Sequence, residues 1–293
     1  MSNWIFIDNE FYSNEDAKIS VYDHGLLYGD GIYEGIRCYS KNIFQIDEHL
    51  DRLYRSANSL RLNIRYSREE IKSAIVRVLN KNNLKNAYIR LIVTRGEGPI
   101  GPDPEQCKKS SLIIITEDIP NVHGIESLDK GLSLVIVSTR RDSVDATSHE
   151  IKSLNYLNSV IAKIEAKQSY ADDAIILDKN GFVSESPICN IFMIEKNVVI
   201  TPQASNGILK GITRGNVIEI ATELGLQVVE RNITPYELIN ADEVFLAGTH
   251  AEIVGVQKIN NIRIGDGLVG ELTRKIQKSF LKRTTDERYG FKI

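Results

Sequence analysis

The spacing of apolar residues changes repeatedly along the first part of the chain, and this alternation limits the folds available to it. Segments 31–39 and 87–94 are dense in the apolar residues typical of strands. Between them, Leu50, Leu53 and Ala57 recur at intervals of three and four, which is the spacing of one helical face. Strands and helices are therefore mixed within one segment, and the pattern predicts an α+β domain.

The apolar pattern lapses at residues 119–124, where Pro120 and Gly124 interrupt it, and we place a domain boundary there. The chain has 293 residues, more than a typical domain of roughly 100 to 200 residues, so two domains are expected. The predicted organisation has three parts: a small α+β domain at 1–120, an interdomain loop at 121–130 and a larger domain at 131–293.

The second domain is also expected to contain both strands and helices. Leu154 and Leu157 begin a helical spacing that predicts a long helix at 153–169. Residues 179–181 are typical of a hairpin turn between two strands. Thr213 is a candidate N-cap for the helix that follows it.

Charge and cysteine content argue against several classes of protein. The 36 basic and 39 acidic residues are scattered and give a net charge of -3, so no basic surface for nucleic acid is expected. Cys38, Cys107 and Cys189 lie far apart, and we predict neither a metal site nor a redox dithiol. No apolar run approaches the ~20 residues of a membrane span, and the N-terminus has no targeting pattern, so we expect a cytoplasmic protein.

Three features could carry chemistry, and each is weak by itself. Lys152 lies between Ile151 and Leu154, where a polar stretch meets an amphipathic segment, and a desolvated lysine can bond to a carbonyl compound. Residues 211–214 begin a predicted helix whose free N–H groups form a cup for a phosphate. Glu185 could keep a pyridine nitrogen protonated. Taken singly, a surface lysine, an ordinary helix start and a solvent-facing glutamate are more frequent.

Two further segments match phosphate chemistry. Gly248–Thr249 follows a predicted strand, and the small residue lets backbone amides approach a ligand. Arg52 lies in a helix otherwise packed by Leu50 and Leu53 and could supply a positive charge.

These features occur in a fixed order within longer motifs. The motifs are His24–Arg37 (HGLLYGDGIYEGIR), Lys152–Asn158 (KSLNYLN), Glu185 with Asn190–Phe192, Leu209–Arg214 (LKGITR), and Ala241–Phe245 (ADEVF) with Gly248–Thr249. The series resembles the class IV, or fold type IV, pyridoxal-phosphate enzymes, and within them the branched-chain amino acid aminotransferases. The resemblance covers nearly the whole chain, from Trp4 to the closing helix.

The resemblance implies a two-domain α+β fold with a smaller N-terminal α/β domain, a larger C-terminal domain with a pseudo-barrel of strands, and an active site at the domain interface. It also implies that pyridoxal 5'-phosphate is the cofactor. Lys152 would bind it covalently and transfer protons, and is the predicted catalytic residue. The other implied cofactor contacts are Arg52, Ile212, Thr213 and Thr249 for the phosphate, Tyr156 (four residues after Lys152 at a helix start) for the ring hydroxyl, and Glu185 for the pyridine nitrogen.

A set of substrate contacts is implied as well. Tyr88 and Arg90 match a tyrosine and an arginine of the family that bind carboxylates, and Arg90 would bind the side-chain carboxylate of glutamate or 2-oxoglutarate. The N–H groups of Thr249 and His250 would bind the α-carboxylate. The implied residues of the side-chain pocket are Tyr28 and Tyr33.

The sequence departs from the family pattern at three places. His250 stands where the family often has a small residue, beside the implied carboxylate site. Residues 119–124 contain neither the tryptophan nor the tyrosine that close the pocket in some members. Pro102 occupies a loop position that is often aliphatic and that reaches the neighbouring subunit's active site in relatives. These differences concern the preferred amino acid more than the cofactor.

The implied activity is transamination of leucine, isoleucine and valine with 2-oxoglutarate. The expected partners are small amino acids and 2-oxo acids, with no nucleic acid and no membrane. A homo-oligomer of at least two subunits is implied, because in relatives the loop that corresponds to residues 96–104 completes the partner's active site.

Two alternatives on the same fold stay open. For a D-amino acid transaminase, Arg95 matches an arginine that binds the α-carboxylate, although Tyr156 and the segment 88–90 favour the branched-chain type. The other alternative is a lyase that releases pyruvate from aminodeoxychorismate. Residues 34–37 and Arg90 favour transamination over that reaction.

Overall fold

The chain is organised in two compact units. A computed structural model describes residues 4–118 and 130–293. The first unit comprises Met1–Pro120, Ile151–Asn155 and Thr284–Ile293, and the second comprises Asn121–Glu150 and Tyr156–Arg283. From the sequence, 151–155 and 284–293 were expected in the larger domain. The aromatic-free segment 119–124 and, apart from Lys130, the predicted loop 121–130 lie outside the described residues.

Both units combine strands with helices, as the α+β prediction requires. In chain order the elements are β1 (Trp4–Ile7), β2 (Glu10–Ser13), α1 (His24–Tyr28), β3 (Gly31–Tyr39), β4 (Asn42–Phe44), α2 (Ile46–Ser59), α3 (Arg68–Lys81), β5 (Ala87–Thr94), β6 (Ser111–Glu117), β7 (Leu132–Arg140), α4 (Leu157–Gln168), β8 (Asp173–Leu177), β9 (Asn190–Glu195), β10 (Val198–Thr201), α5 (Ile212–Glu223), β11 (Gln227–Glu230), α6 (Pro235–Ile239), β12 (Glu243–Gly248), β13 (Glu252–Ile259), β14 (Ile262–Arg263), α7 (Glu271–Thr284) and β15 (Gly290–Lys292). Within the described residues, no helix has both the length and the apolar content needed to cross a membrane.

The first unit is built on a seven-stranded sheet in the order β15-β4-β3-β5-β6-β1-β2. Its paired strands are antiparallel, and β3 pairs with β5 along its length. Alternate residues of a strand point to opposite faces of a sheet. On one face, Ile32, Ile36 and Leu91 form a core with Leu50 and Leu53 of α2. The other face of β3 and β5 is left for the site residues described below.

The second unit is built on a mixed sheet in the order β11-β10-β9-β12-β13-β7-β8, with β14 paired to β13. The pairs β10–β11, β13–β7 and β7–β8 are parallel, and the others are antiparallel. Ile191, Met193, Val244 and Leu246 are core residues from the central strands β9 and β12. The helix α4 packs against β7 and β8, the last two strands in this order.

The helix predicted at 153–169 begins later than expected, at Leu157. Residues 152–154 are instead paired with the start of β3, since the Tyr33 N–H donates to the Lys152 carbonyl at 3.0 Å and the Leu154 N–H donates to the Gly31 carbonyl at 2.9 Å. The prediction of helix for residues 153–156 was therefore wrong, and the pairing of 152–154 with β3 is what places 151–155 in the first unit.

The turn predicted at 179–181 forms, but it does not join β8 to β9. The Asp178 N–H donates to the Phe182 carbonyl at 2.7 Å, and Leu177 bridges to Val183. The strand β9 is paired with β10 and β12 instead. The expected cap at Thr213 is also displaced, because α5 begins at Ile212 with Gly211 as its N-cap.

The last residues of the chain return to the first sheet. The strand β15 pairs with β4, with Gly290 opposite Phe44 and Lys292 opposite Asn42. The side chain of Asn42 also donates to the carbonyl of Thr284 at 3.0 Å. These contacts explain why the C-terminal ten residues belong to the first unit.

Candidate active site

Lys152 is held through its backbone in the first unit. Its N–H donates to the Ser56 hydroxyl oxygen at 3.1 Å, and its carbonyl accepts from the Tyr33 N–H at 3.0 Å. The Lys152 Nζ atom lies 4.5 Å from the centroid of the Tyr33 ring. The main chain is thus fixed between α2 and β3, while the flexible side chain ends over an aromatic face that favours a cation.

Tyr33 also contacts the arginine predicted to bind a substrate carboxylate. The Cζ atom of Arg90 lies 4.0 Å from the centroid of the Tyr33 ring. The register of β3 and β5 places Arg90 opposite Gly35, two residues from Tyr33 on the same face. Three of the predicted residues, Lys152, Tyr33 and Arg90, are therefore brought together in one unit.

Tyr88 lies on the same face of β5 as Arg90. A side chain at Gly35 would collide with it, because a Cβ atom there would lie 2.2 Å from the Tyr88 hydroxyl. Burial raises the pKa of Tyr88 to about 12, against the opposing effect of the Arg90 charge. Tyr88 therefore keeps its proton at neutral pH and can donate a hydrogen bond to a carboxylate.

Tyr28, the fourth predicted pocket or carboxylate residue of this unit, is placed elsewhere. It ends α1, where its ring meets the His24 ring edge-on at 4.9 Å. Its hydroxyl accepts a hydrogen bond from the Gly101 N–H at 2.6 Å. Among the described residues, its hydrogen-bond and ring contacts are with α1 and the loop 96–104, and the structure does not bring it to Tyr33.

Arg52, the predicted phosphate ligand, is buried in an ion pair. Its Nε and Nη2 atoms donate to the two oxygens of Glu34 at 2.8 and 2.7 Å, and His49 Nδ1 lies 2.7 Å from Glu34 Oε2. Burial by itself would raise the pKa of Glu34, but the charge and hydrogen bonds of Arg52 and His49 outweigh it and lower the pKa to about 2. Burial lowers the pKa of His49. Glu34 is thus ionised, and it accepts a hydrogen bond from a neutral His49.

Arg95, the arginine of the D-amino acid alternative, has structural partners. Its Nε and Nη2 atoms donate to Asp30 at 2.9 and 3.0 Å. Its Nη1 and Nη2 atoms donate to the carbonyls of Arg61 and Leu60 at 2.9 and 2.8 Å, just beyond the end of α2. The guanidinium therefore pairs with Asp30 and caps two carbonyls beyond the end of α2.

Glu185 is the central polar residue of the second unit's set. It lies between β8 and β9 and is 6% exposed, so it does not face solvent. Its Oε2 atom accepts from Asn190 Nδ2 at 2.8 Å and from the Leu209 N–H at 3.1 Å. Its Oε1 atom lies 3.3 Å from Arg141 Nη2. The carboxylate is therefore held in one orientation. A fixed negative charge of this kind suits a protonated ring nitrogen.

Arg141 was not predicted from the sequence. It is buried at the end of β7, where its Nη2 donates to the Ser186 carbonyl and its Nη1 to Asn158 Oδ1, both at 3.0 Å. Its Nε atom is buried without an acceptor in the described part of the chain. The sequence shows only a polar stretch at this position, so no pattern distinguishes this buried arginine from its exposed neighbours.

The N-terminus of α5 offers backbone donors. A Cβ atom at Gly211 would lie 2.1 Å from Asn190 Oδ1, so only glycine allows this close approach. No side chain from the described residues caps α5, and the first N–H groups of a helix have no intrahelical acceptor. Ile212 and Thr213 are the first two residues of this turn, and Thr213 is buried. The arrangement fits an anion such as a phosphate.

Thr249 and His250 form the turn between β12 and β13. Gly248 and Glu252 are paired on either side of this turn, and both turn residues are half-buried. A Cβ atom at Gly248 would lie 2.7 Å from the Cys189 sulfur, so the approach to the turn also requires glycine. The backbone of the turn is thus positioned by the sheet, as a carboxylate or phosphate contact requires.

Tyr156 is the residue that precedes α4, and it is half-buried in the second unit. Its proximity to Lys152 was argued from helical spacing. Residues 152–155 are not helical, so helical spacing does not place Tyr156 beside Lys152. The role of Tyr156 toward a ring hydroxyl stays a prediction that rests on the resemblance.

Each unit, taken by itself, carries groups of the kind that bind part of a phosphorylated pyridine aldehyde. The first contributes a lysine amine and a buried arginine, Lys152 and Arg52. The second contributes an oriented carboxylate, Glu185, and the uncapped helix start at Gly211–Thr213, where the glycine is sterically required. The donor set matches what an aldehyde, a phosphate and a pyridine nitrogen need.

Comparison with known proteins agrees with this chemistry. Residues 31–259 match the family model described as amino-transferase class IV. The chain therefore belongs to the class IV aminotransferases.

Individual relatives show which type of class IV aminotransferase the chain resembles. A Methanocaldococcus jannaschii protein with the provisional name of branched-chain-amino-acid aminotransferase is 45% identical over 99% of this chain and 98% of its own length. The crystal structure of the Escherichia coli branched-chain amino acid aminotransferase has a TM-score of 0.95 at 34% identity, covering 98% of this chain and 96% of that one. The T.th. enzyme of the same name, complexed with N-(5'-phosphopyridoxyl)-L-glutamate, has a TM-score of 0.91 at 33% identity, covering 98% and 96%. Within class IV, the chain falls among the branched-chain amino acid aminotransferases.

Proposed function

We propose that the protein transfers the amino group of leucine, isoleucine and valine to 2-oxoglutarate, giving branched-chain 2-oxo acids and L-glutamate. The observation that carries this proposal is the Tyr33 ring, which contacts Arg90 at 4.0 Å and the Lys152 amine at 4.5 Å. An aromatic face suits a branched aliphatic side chain, and the guanidinium beside it suits an acidic one. One pocket can then accept both substrates of the reaction.

The cofactor is pyridoxal 5'-phosphate, and we assign each of its groups to particular residues. When bound, it supplies an electron sink for the charge that develops at the substrate α-carbon. Its phosphate is assigned to Arg52, Ile212, Thr213 and Thr249. Its pyridine nitrogen is assigned to Glu185, and its ring hydroxyl to Tyr156. The T.th. relative, crystallised with a phosphopyridoxyl group joined to L-glutamate, supports both the cofactor and the acidic substrate.

Proton transfer and substrate binding are assigned to different residues of the chain. With the cofactor bound, the Lys152 amine would take the proton from the substrate α-carbon and donate it to the cofactor carbon that is bonded to the transferred nitrogen. The Glu185 carboxylate keeps the ring nitrogen protonated, because a fixed negative charge favours the cationic form. Tyr88 and the N–H groups of Thr249 and His250 bind the α-carboxylate. Arg90 binds the second carboxylate of glutamate or 2-oxoglutarate.

A homodimer is part of this proposal. Three apolar side chains of the first unit, Ile100, Val21 and Leu26, are 80%, 69% and 59% exposed. Ile100 lies in the loop 96–104, which Tyr28 holds through Gly101. We assign this loop and Tyr28 to the pocket of a second subunit. The cytoplasmic location stays a prediction from the sequence.

The D-amino acid alternative is disfavoured by Arg95, whose guanidinium is occupied by Asp30 and by the two carbonyls beyond α2. A coupled assay tests the choice directly. The purified protein is given 2-oxoglutarate with L-leucine, L-isoleucine, L-valine or D-alanine, and separately given aminodeoxychorismate. We expect turnover of the three branched L-amino acids to be fastest. Faster turnover of D-alanine, or pyruvate release from aminodeoxychorismate alone, would contradict the proposal.

A further inference from the structure

Helix α2 carries a buried polar stripe, which we define as His49, Arg52 and Ser56. Their spacing of three and four residues places them on one helical face, and all three are buried. Leu50 and Leu53 of the same helix belong to the apolar core. A guanidinium is seldom buried without compensation, because removing a charge from water is costly. The stripe therefore needs an anionic partner.

Glu34 is that partner. It lies between Ile32 and Ile36 of β3, and the alternation of the strand directs all three toward α2. Its two oxygens accept from Arg52 Nε and Nη2, at 2.8 and 2.7 Å. A guanidinium has five N–H groups in one plane, so a two-point contact on one edge fixes the direction of the others.

His49 completes the arrangement. Its Nδ1 atom donates to Glu34 Oε2, the oxygen that also accepts from Arg52 Nη2. The carboxylate is thus restrained by two residues of α2, three positions apart. Neither Glu34 nor His49 is among the residues assigned to the cofactor or the substrates.

The same elements hold the backbone of Lys152. Ser56, the third member of the stripe, accepts from the Lys152 N–H at 3.1 Å. Tyr33, the neighbour of Glu34, donates its N–H to the Lys152 carbonyl at 3.0 Å. Arg52 and Lys152 are therefore positioned from one helix and one strand that Glu34 links.

We propose that Glu34 is a positioning residue that fixes the Arg52 guanidinium for a phosphate monoester, with His49 restraining the carboxylate. The inference rests on the proposed function, because it takes Arg52 as a ligand of the cofactor phosphate. In the absence of Glu34, the flexible arginine side chain loses its two-point contact, and a phosphate must then order the guanidinium itself.

A binding comparison tests this proposal without measuring catalysis. The full-length protein, freed of cofactor, is titrated with pyridoxamine 5'-phosphate and with pyridoxamine, which lacks the phosphate. The ratio is the dissociation constant of pyridoxamine divided by that of pyridoxamine 5'-phosphate, and it measures how much the phosphate contributes to affinity. In Glu34→Gln we expect this ratio to fall by about tenfold to a hundredfold, with pyridoxamine binding unchanged. A ratio within twofold of the wild type would overturn the proposal.

Two variants at His49 give a second test that does not depend on the folding of Glu34→Gln. An asparagine keeps an N–H donor near the place of Nδ1, whereas a leucine removes it. We expect His49→Asn to keep the wild-type ratio and His49→Leu to lower it by roughly threefold to tenfold. Equal ratios in the two variants would contradict the restraining role of His49 and, with it, the proposed arrangement.

Asp30→Asn is the matched control, because Asp30 pairs with Arg95 through two hydrogen bonds in the same unit. It should lower the melting temperature and leave the ratio unchanged. A ratio that falls as far as in Glu34→Gln would mean general destabilisation and would overturn the positioning role. If the wild type itself binds pyridoxamine as tightly as its phosphate ester, the phosphate site of the proposed function fails. If only the Glu34 effect is missing, the proposed function stands and this inference falls.

Discussion

The two units carry different kinds of predicted ligand groups. The first offers charged side chains, namely Arg52, Arg90 and Lys152. The second offers mainly backbone N–H groups, at the start of α5 and in the turn at Thr249–His250. Its predicted charged ligand group is Glu185.

This difference has a physical consequence for each unit. A buried or half-buried cation requires compensation, and the first unit supplies it as the Glu34 carboxylate for Arg52 and the Tyr33 ring for Arg90. Backbone N–H groups carry only partial charges and are oriented by the helix and the sheet. Substitution of a single side chain should therefore reduce cofactor or substrate binding strongly in the first unit. It should reduce binding only weakly where the second unit offers backbone N–H groups.

The largest effect is expected at Lys152. Lys152→Ala removes the amine to which we assign the bond to the cofactor and the proton transfer, so transamination should fall by at least about 10³-fold. The absorbance of the lysine-bound cofactor should disappear with it. Lys179→Ala is the control, because Lys179 is an exposed lysine that pairs with Asp145. A Lys152→Ala protein with near-normal turnover would remove the basis of the comparison.

Acid should weaken the first unit through Glu34 and His49. Because the pKa of His49 is lowered in the folded protein, only the unfolded chain binds this proton just below about pH 6.5. The free energy of unfolding therefore decreases as the pH is lowered below about 6.5. The pKa of Glu34 is lowered from 4.5 to about 2, which adds a loss of up to roughly 3 kcal/mol as pH falls through that window. Urea unfolding between pH 7 and pH 3 should show the wild type losing its advantage over Glu34→Gln below pH 4.5. A constant difference between the two proteins would contradict this assignment.

Arg90 should affect one substrate class more than the other. In Arg90→Met, the KM for 2-oxoglutarate should rise by about tenfold to a hundredfold, because an acidic side chain loses a charge-assisted contact. The KM for 4-methyl-2-oxopentanoate should change much less. Arg77→Met is a suitable control, since Arg77 also stacks on aromatic rings, those of Phe6 and Phe11. Equal changes for both 2-oxo acids would show that Arg90 does not distinguish them.

The smallest effect is expected at Thr213 in the second unit. Thr213→Val removes a hydroxyl but keeps the backbone N–H, so affinity for the phosphorylated cofactor should fall by less than about tenfold. Gly211→Ala should cost more, because its Cβ atom would lie 2.1 Å from Asn190 Oδ1 and displace the start of α5. Cofactor titration of the two variants measures the order. A larger loss in Thr213→Val would show that side chains, and not backbone, dominate this cup.

The local pattern of apolar residues was sufficient to predict the central strands of the first unit. The segments 31–39 and 87–94 coincide with β3 and β5, because dense apolar runs in a buried sheet leave little ambiguity. The predicted helix at 153–169 failed at its start for a tertiary reason. Leu154 packs against β3, where a Cβ atom at Gly31 would lie 2.6 Å from its Cδ1 atom. Its apolar character reflects that contact and not a helical face.

The same contrast applies to the site. Glu34 could have been inferred, because an acidic residue between Ile32 and Ile36 on a core-facing strand requires a cation nearby, and Arg52 shares its helical face with His49. Arg141 could not, because its burial depends on where the end of β7 meets residues distant in sequence. The roles predicted for Lys152 and Glu185 rest on the family resemblance, since their local patterns are equally common in surface residues.

Lys152 is the lysine to which we assign the covalent bond with the cofactor, and chemical trapping can detect that bond. Borohydride reduction makes the carbon–nitrogen bond between a lysine and pyridoxal 5'-phosphate permanent, and peptide mass spectrometry then locates the added group. We predict a phosphopyridoxyl group on Lys152 in the peptide that contains Ser153 and Leu154. Stoichiometric modification of a different lysine, or no modification after incubation with the cofactor, would contradict the assignment to Lys152.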